Sequence, residues 1–148
     1  MAEDKYNFRL KGVCALECDG KFLVIKRRVG NHGPLLIFPG GKVEIGCKDD
    51  AQDILENTVR REISEELGIH IDRDLHYLCS NLYVDNFARA IIDVTFHCCL
   101  GAMPAVVADP EEVPEYFWLS TDEIESSKLD FFIGWKIAKI QELKAKHR

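Results

Sequence analysis

The sequence predicts one mixed α/β domain over residues 1–148, and three observations carry that prediction. Glu17-Cys18-Asp19-Gly20 joins two β-rich runs in the way a hairpin turn does. Residues 49–67 hold an apolar helical period closed by Gly68. Further strand-like runs then lead to a last amphipathic helix over 132–146, with no linker, repeat or low-complexity tract between them. The chain has 148 residues, 47% apolar and 30% charged, which is the length of one domain and a composition that can bury a core.

Taken in order, Gly12 to Glu17 and Lys21 to Arg27 are the two arms of the hairpin, because Asp-Gly accepts the positive φ a tight turn requires. Asn31 to Gly41 carries Gly33, Pro34, Pro39, Gly40 and Gly41 and reads as a loop around the short apolar run Leu35 to Phe38; His32 reads as one of its loop residues. Asp49 to Leu67 is a helix, and Leu75 to Val84 and Arg89 to Leu100 are strands. A loop with prolines, Gly101 to Pro114, precedes a short strand at Tyr116 to Leu119. Ser120-Thr121-Asp122-Glu123 has the form of a capping box, and Phe132 to Lys146 closes the chain with Ile133, Ile137 and Ile140 on one side.

The helix over 49–67 breaks its own pattern. With Ala51 at zero and about 100° per residue, Ile54, Leu55, Thr58, Val59, Ile63 and Leu67 define one broad apolar face. Asp53, Asn57, Arg60 and Ser64 fall opposite, on the expected solvent side. Glu65 falls at about 320°, Glu62 at about 20° and Glu66 at about 60°, inside the arc the apolar residues otherwise own. Three carboxylates thus converge at a helix C-terminus, where the macrodipole also disfavours anions. Two readings fit the wheel: a solvated acidic helix end, or a hard divalent cation such as Mg²⁺ or Mn²⁺ held by carboxylate oxygens.

The neighbouring residues favour the cation. Gly41-Lys42-Val43-Glu44, preceded by Pro39-Gly40, and then Arg61-Glu62-Ile63-Ser64-Glu65-Glu66-Leu67-Gly68-Ile69 resemble the Nudix box. The family pattern is a Gly, five residues, a Glu, seven residues, then R-E-U-x-E-E-x-G-U with U bulky and apolar. The second half matches at every specified position. The first half departs: Cys47 stands where the count from Gly41 expects Glu, and counting back from Arg61 reaches Asp53. The simplest alignment gives Asp53 the supporting role toward Arg61, with six extra residues between Gly46 and Asp53.

The resemblance covers nearly the whole chain and implies an α/β/α sandwich with a mixed β-sheet. It implies a hydrolase, cleaving a pyrophosphate linkage in a nucleoside di- or triphosphate or a nucleoside diphosphate joined to another group. Mg²⁺ is the implied cofactor, with Mn²⁺ able to substitute. Cations bridging the diphosphate oxygens would neutralise charge, orient the groups and acidify a water. Glu62, Glu65, Glu66 and the Gly41 carbonyl are the implied ligands. Glu62 is the first choice of general base and Glu112 the second, while Arg61 orients a box glutamate. Arg27 and Lys42 are candidates for substrate phosphate. Phe38 is a candidate for stacking on the base, as are Tyr83 and Phe87.

The run Phe38 to Lys42 resembles MutT-type enzymes, yet no Asn near Ile133 matches the one that reads oxidised guanine there. The proline marking many ADP-ribose pyrophosphatases is absent from Leu75 to Val84, and the coenzyme A signature is only loosely echoed. The specific nucleotide therefore stays open. The alternative function is a catalytically weak nucleotide-binding or regulatory module on the same fold.

Composition and charge bound the rest. Lys plus Arg is 19 and Asp plus Glu is 25, a net charge of −6, which argues against binding to a nucleic-acid polymer. Six cysteines contain no C-x-x-C pair, and Cys98 and Cys99 should point to opposite faces of a strand. With no signal-like start or membrane-length apolar run, reduced thiols in a cytoplasmic protein away from membranes are expected. Homodimers are common in the family, and nothing in the residues decides that point.

Overall fold

The computed structural model describes residues 8–28, 33–44, 52–85, 87–127 and 133–147. His32, Cys47, all but the last residue of the segment expected to hold the six-residue insertion, and the first residues of two expected helices, 49–51 and 132, lie outside them. Strands β1 (Phe8–Cys18), β2 (Lys21–Arg28), β3 (Pro34–Ile37), β4 (Gly40–Lys42), β5 (His76–Val84), β6 (Ala90–Cys99) and β7 (Tyr116–Ser120) form one sheet. Its order is β3-β2-β1-β6-β5, with β4 paired to β1 and β7 to β2. β1 runs parallel to β6 and the other pairings are antiparallel, so the sheet is mixed. Helices α1 (Ile54–Leu67), α2 (Thr121–Ser127) and α3 (Ile133–Lys146) cover its faces.

The side-chain alternation of β1 sorts the two layers. Cys14 and Leu16 pack with Val59, Ile63 and Leu67 of α1, whereas Val13 and Ala15 pack with Ile133, Ile137 and Ile140 of α3. The result is an α/β/α sandwich. The hairpin turn has Asp19 at φ 51 and Gly20 at φ 76, the left-handed pair that an Asp-Gly turn supplies.

Three local readings change. The apolar run expected inside a loop is a true strand, β3, because Ile37 and Leu36 pair with Ile25 and Lys26 on the edge of β2. The helix expected from Asp49 begins at Ile54: Asp53 sits at φ 51, a left-handed conformation that cannot continue a right-handed helix. Arg60, expected toward solvent, is half-buried and donates to the carbonyls of Ile71 at 2.7 Å and Arg73 at 2.9 Å, tying down the chain that leaves α1. The capping box forms as read, with Glu123 N donating to Ser120 Oγ and Ser120 N to Glu123 Oε1. Among the described residues no helix is long and apolar enough to cross a membrane.

Candidate active site

Two close approaches aim the end of α1. A Cβ added at Gly12 would lie 2.9 Å from Val59 Cγ2 and 3.1 Å from the Leu55 carbonyl, so the absence of a side chain lets α1 settle onto β1. One turn further along α1, a Cβ at Gly41 would lie 2.4 Å from Glu62 Cδ. Gly41 is paired with Gly12 across β1 and β4, so the two glycines form one floor under the helix. The Gly41 backbone therefore rests against the Glu62 carboxyl.

Glu66, one turn beyond Glu62, is buried at 6% exposure, and its Oε2 has no hydrogen-bond partner among the described residues. Glu62 is near enough for its carboxyl to act on that of Glu66. Burial pushes Glu66 up to about 7 against the pull of Arg27, and the negative charges of Glu62 and Glu112 add to the rise. Burial also raises Glu62, opposed by Arg61 and reinforced by Glu65 and Glu44. Glu65 is exposed, on the rim rather than in the apolar arc where the wheel put it.

The loop after β6 folds back over this helix end. Val107 N donates to the Leu67 carbonyl at 2.9 Å and Asp109 N to the Glu66 carbonyl at 2.8 Å, satisfying carbonyls that a helix C-terminus leaves open. Gly68, at φ 65, makes room for that return. Arg27 Nη2 donates to the Glu112 carbonyl at 2.6 Å and lies 3.9 Å from Glu66 Oε1. Arg27 thus holds the loop that carries Glu112 while facing the buried carboxyl.

Arg61 meets Glu44 at 3.2 Å and Glu62 at 3.5 Å. The carboxylate set against it from ahead of the helix is Glu44, while Asp53 occupies the N-cap with no side-chain capping bond. The sequence signal was present in Gly41-Lys42-Val43-Glu44, where β4 holds Gly41 and delivers Glu44 just past its end. Lys42 is exposed beside Gly41. Phe38 is only 2% exposed and packs on Phe22 with ring centroids 6.0 Å apart; one side of it lines a crevice of about 40 Å³ with Lys11, Tyr83, Asp93 and Lys136. Sequence reasoning missed this polar crevice. Its signal was Asp93, a charge directly after the apolar start Ala90-Ile91-Ile92 of β6.

A buried carboxylate oxygen with no partner, a second carboxyl against a glycine backbone and an oxygen-only donor set together fit a hard divalent cation. Residues 9–138 also match the NUDIX domain family. The chain belongs to the Nudix family. As a Nudix hydrolase it acts on pyrophosphate bonds, and the family typically uses divalent metal ions. No curated protein sequence matches it significantly. Among solved structures, a MutT NUDIX hydrolase from Burkholderia pseudomallei is similar at 26% identity, covering 79% of this chain and 86% of that one with a TM-score of 0.65. The NUDIX domain of Shewanella oneidensis NrtR, in complex with ADP ribose, shares 19% identity over 95% and 89% with a TM-score of 0.72. A C. elegans Ap4A hydrolase binary complex shares 15% over 93% and 98% at 0.73. These last two show the same fold.

Proposed function

We propose that this Nudix hydrolase uses Mg²⁺, with Mn²⁺ as a substitute, to cleave a pyrophosphate linkage in a nucleoside di- or triphosphate or a nucleoside diphosphate joined to another group. The observation that carries the reading is Glu66: a buried carboxyl with an orphaned oxygen, facing a second carboxyl against Gly41. In this reading Glu62, Glu65, Glu66 and the Gly41 carbonyl hold the ion. When bound, it neutralises diphosphate charge and makes a water easier to deprotonate.

The chain's own residues do the remaining work. Glu62 takes the proton of the attacking water, and Arg61, braced by Glu44, fixes the direction of that carboxyl. Glu112 is the second candidate base, since the Arg27 contact to its carbonyl keeps its loop beside Glu66. Arg27 and Lys42 supply positive charge for the phosphates that are not cleaved. Phe38 serves as the wall of the crevice rather than as an open stacking face, because it is nearly fully buried. Names among the structural neighbours, ADP ribose and Ap4A, support a small nucleotide as the class of substrate.

The test is a nucleotide panel with product identification in Mg²⁺, Mn²⁺ and EDTA. Cleavage at a diphosphate linkage, abolished by EDTA, is the expected result. A folded protein that binds nucleotide and turns over none of the panel would overturn it in favour of a binding module.

A further inference from the structure

Three adjacent strands bring unlike donor atoms together at the far end of the sheet from Gly12 and Gly41. Glu17 of β1 lies opposite Cys99 of β6, and His97 of β6 lies opposite His76 of β5. Alternation puts His97 and Cys99 on one face, with Cys98 between them buried on the other. His97 Nε2 is 2.8 Å from Glu17 Oε1. Cys99 Sγ is 3.6 Å from His97 Nε2 and 3.9 Å from Glu17 Oε1. All three atoms fall within 4.8 Å of one another.

That triangle has a recognisable size. Nitrogen, oxygen and sulfur ligands at tetrahedral zinc place neighbouring donor atoms roughly 3.3–3.6 Å apart, given ligand distances of about 2.0–2.3 Å. The three edges, 2.8, 3.6 and 3.9 Å, bracket that spacing. A thiol and an imidazole do not suit Mg²⁺, which prefers oxygen ligands; they select borderline and softer divalent ions. Glu17 is also prepared for the role: its second oxygen accepts from Lys144 of α3, leaving Oε1 turned toward His97 and Cys99. A supporting hydrogen bond of this kind orients a ligating carboxylate. His76 and His97 both line the open pocket over the cluster, whose volume is about 570 Å³, so an ion and a fourth donor can reach it from solvent.

The geometry points to a second metal site, in which Glu17, His97 and Cys99 bind a divalent transition ion, Zn²⁺ foremost, with His76 or a water in the fourth position. Binding releases the Cys99 thiol proton to solvent, and the imidazole proton facing Glu17 moves to the other ring nitrogen through water. The site ties β1 to β6 beside the end of α3, and β5 as well where His76 is the fourth ligand, so its occupancy stabilises the fold. It is independent of the box glutamates and of any turnover they support.

The experiment uses the full chain, reduced and stripped with EDTA, then titrated with Co²⁺ and competed with Zn²⁺. One equivalent of Co²⁺ should produce a thiolate-to-cobalt charge-transfer band and visible bands of tetrahedral strength, both bleached by Zn²⁺. Cys99→Ser should lose the charge-transfer band, and His97→Ala should weaken Co²⁺ binding at least about tenfold, the usual scale for removing a ligand or its support. Glu66→Gln should leave the band in place, since oxygen ligands at the box give no thiolate transition. Lys144→Gln, which removes the hydrogen bond that orients Glu17 but no ligand, should keep the band while weakening Co²⁺ binding about tenfold. A wild-type chain with native circular dichroism and no charge-transfer band overturns the site, as does a band that survives Cys99→Ser. Should Cys99→Ser or His97→Ala fold poorly, Zn²⁺ protection of the Cys99 thiol from alkylation decides: protection in the wild type supports the site, and its absence refutes it.

Discussion

A Cβ at Gly41 would sit 2.4 Å from Glu62 Cδ and 2.6 Å from its Oε2, so the backbone of one residue sets the position of the other's carboxyl. Gly41 is not among the glycines held at positive φ, and alanine can adopt its backbone without strain. Gly41→Ala should therefore act through Glu62 alone. A displacement near 1 Å costs about 10²-fold in turnover. We expect kcat to fall by about that factor while the melting temperature shifts little. Kinetics and thermal melting on the same preparation check it, and an unchanged kcat would dissociate Glu62 from the chemistry.

Glu66 makes stability depend on pH and on metal. Its pKa is raised by burial to about 7 from the ordinary value of 4.5, so between those values the folded chain holds a proton that the unfolded chain has lost. Stability should fall as pH rises from about 4.5 to 7, and remain lower above that range. A divalent cation reverses the penalty because it prefers the charged carboxyls. The Mg²⁺-induced rise in melting temperature should be larger at pH 8 than at pH 5.5 by at least about 3 °C, which corresponds to roughly 1 kcal/mol in a chain of this length. Glu66→Gln should remove most of that difference. Equal Mg²⁺ effects at both pH values in the wild type would contradict the assignment.

How much of this was legible beforehand divides along physical lines. The wheel placed Glu66 inward because it is a local property of a helix, and the hairpin followed from Asp-Gly for the same reason. β3 was missed because its pairing with β2 is a tertiary contact that a loop-rich composition conceals. Arg60 was misplaced because its partners, the Ile71 and Arg73 carbonyls, belong to chain that returns past α1. The wheel puts Glu65 inward because a helical period measures angle alone, whereas the burial of Glu66 and the exposure of Glu65 also depend on the tertiary neighbours of that helix end. Counting from the family pattern gave Asp53 the partnership with Arg61, yet space puts Glu44 there, across residues a count along the chain cannot bridge.

That substitution of partners is testable. Glu44 is 61% exposed in its side chain, so its ion pair with Arg61 adds at most about 1 kcal/mol to stability. Its effect should appear instead in the orientation of Glu62: Glu44→Gln should lower kcat several-fold with KM nearly constant. Asp53→Ala should do the opposite, costing about 1 kcal/mol because alanine tolerates φ 51 less well than aspartate, with kcat close to wild type. A collapse of kcat in Asp53→Ala with normal turnover in Glu44→Gln would restore Asp53 as the partner.

The last prediction concerns the crevice behind Phe38. Lys136 and Asp93 are 4% and 5% exposed and lie 3.3 Å apart, a buried pair joining α3 to β6. Removing one partner from such a pair leaves an uncompensated buried charge and costs about 3–5 kcal/mol, whereas replacing both with apolar groups of similar volume is often near neutral. The neighbourhood makes the two halves unequal. Lys11, in β1 opposite Asp93, feels the Asp93 charge and is held below its usual range by burial, so it can partly answer Asp93 once Lys136 is gone. Burial raises Tyr83 to about 12, with the Asp93 charge adding to it, so this phenol stays neutral and offers Lys136 no anion once Asp93 is gone. Asp93→Leu should therefore destabilise more than Lys136→Met, and the double variant should recover much of the loss. Denaturant melts of the three variants measure the coupling; additive losses would mean that the pair does not hold α3 to the sheet.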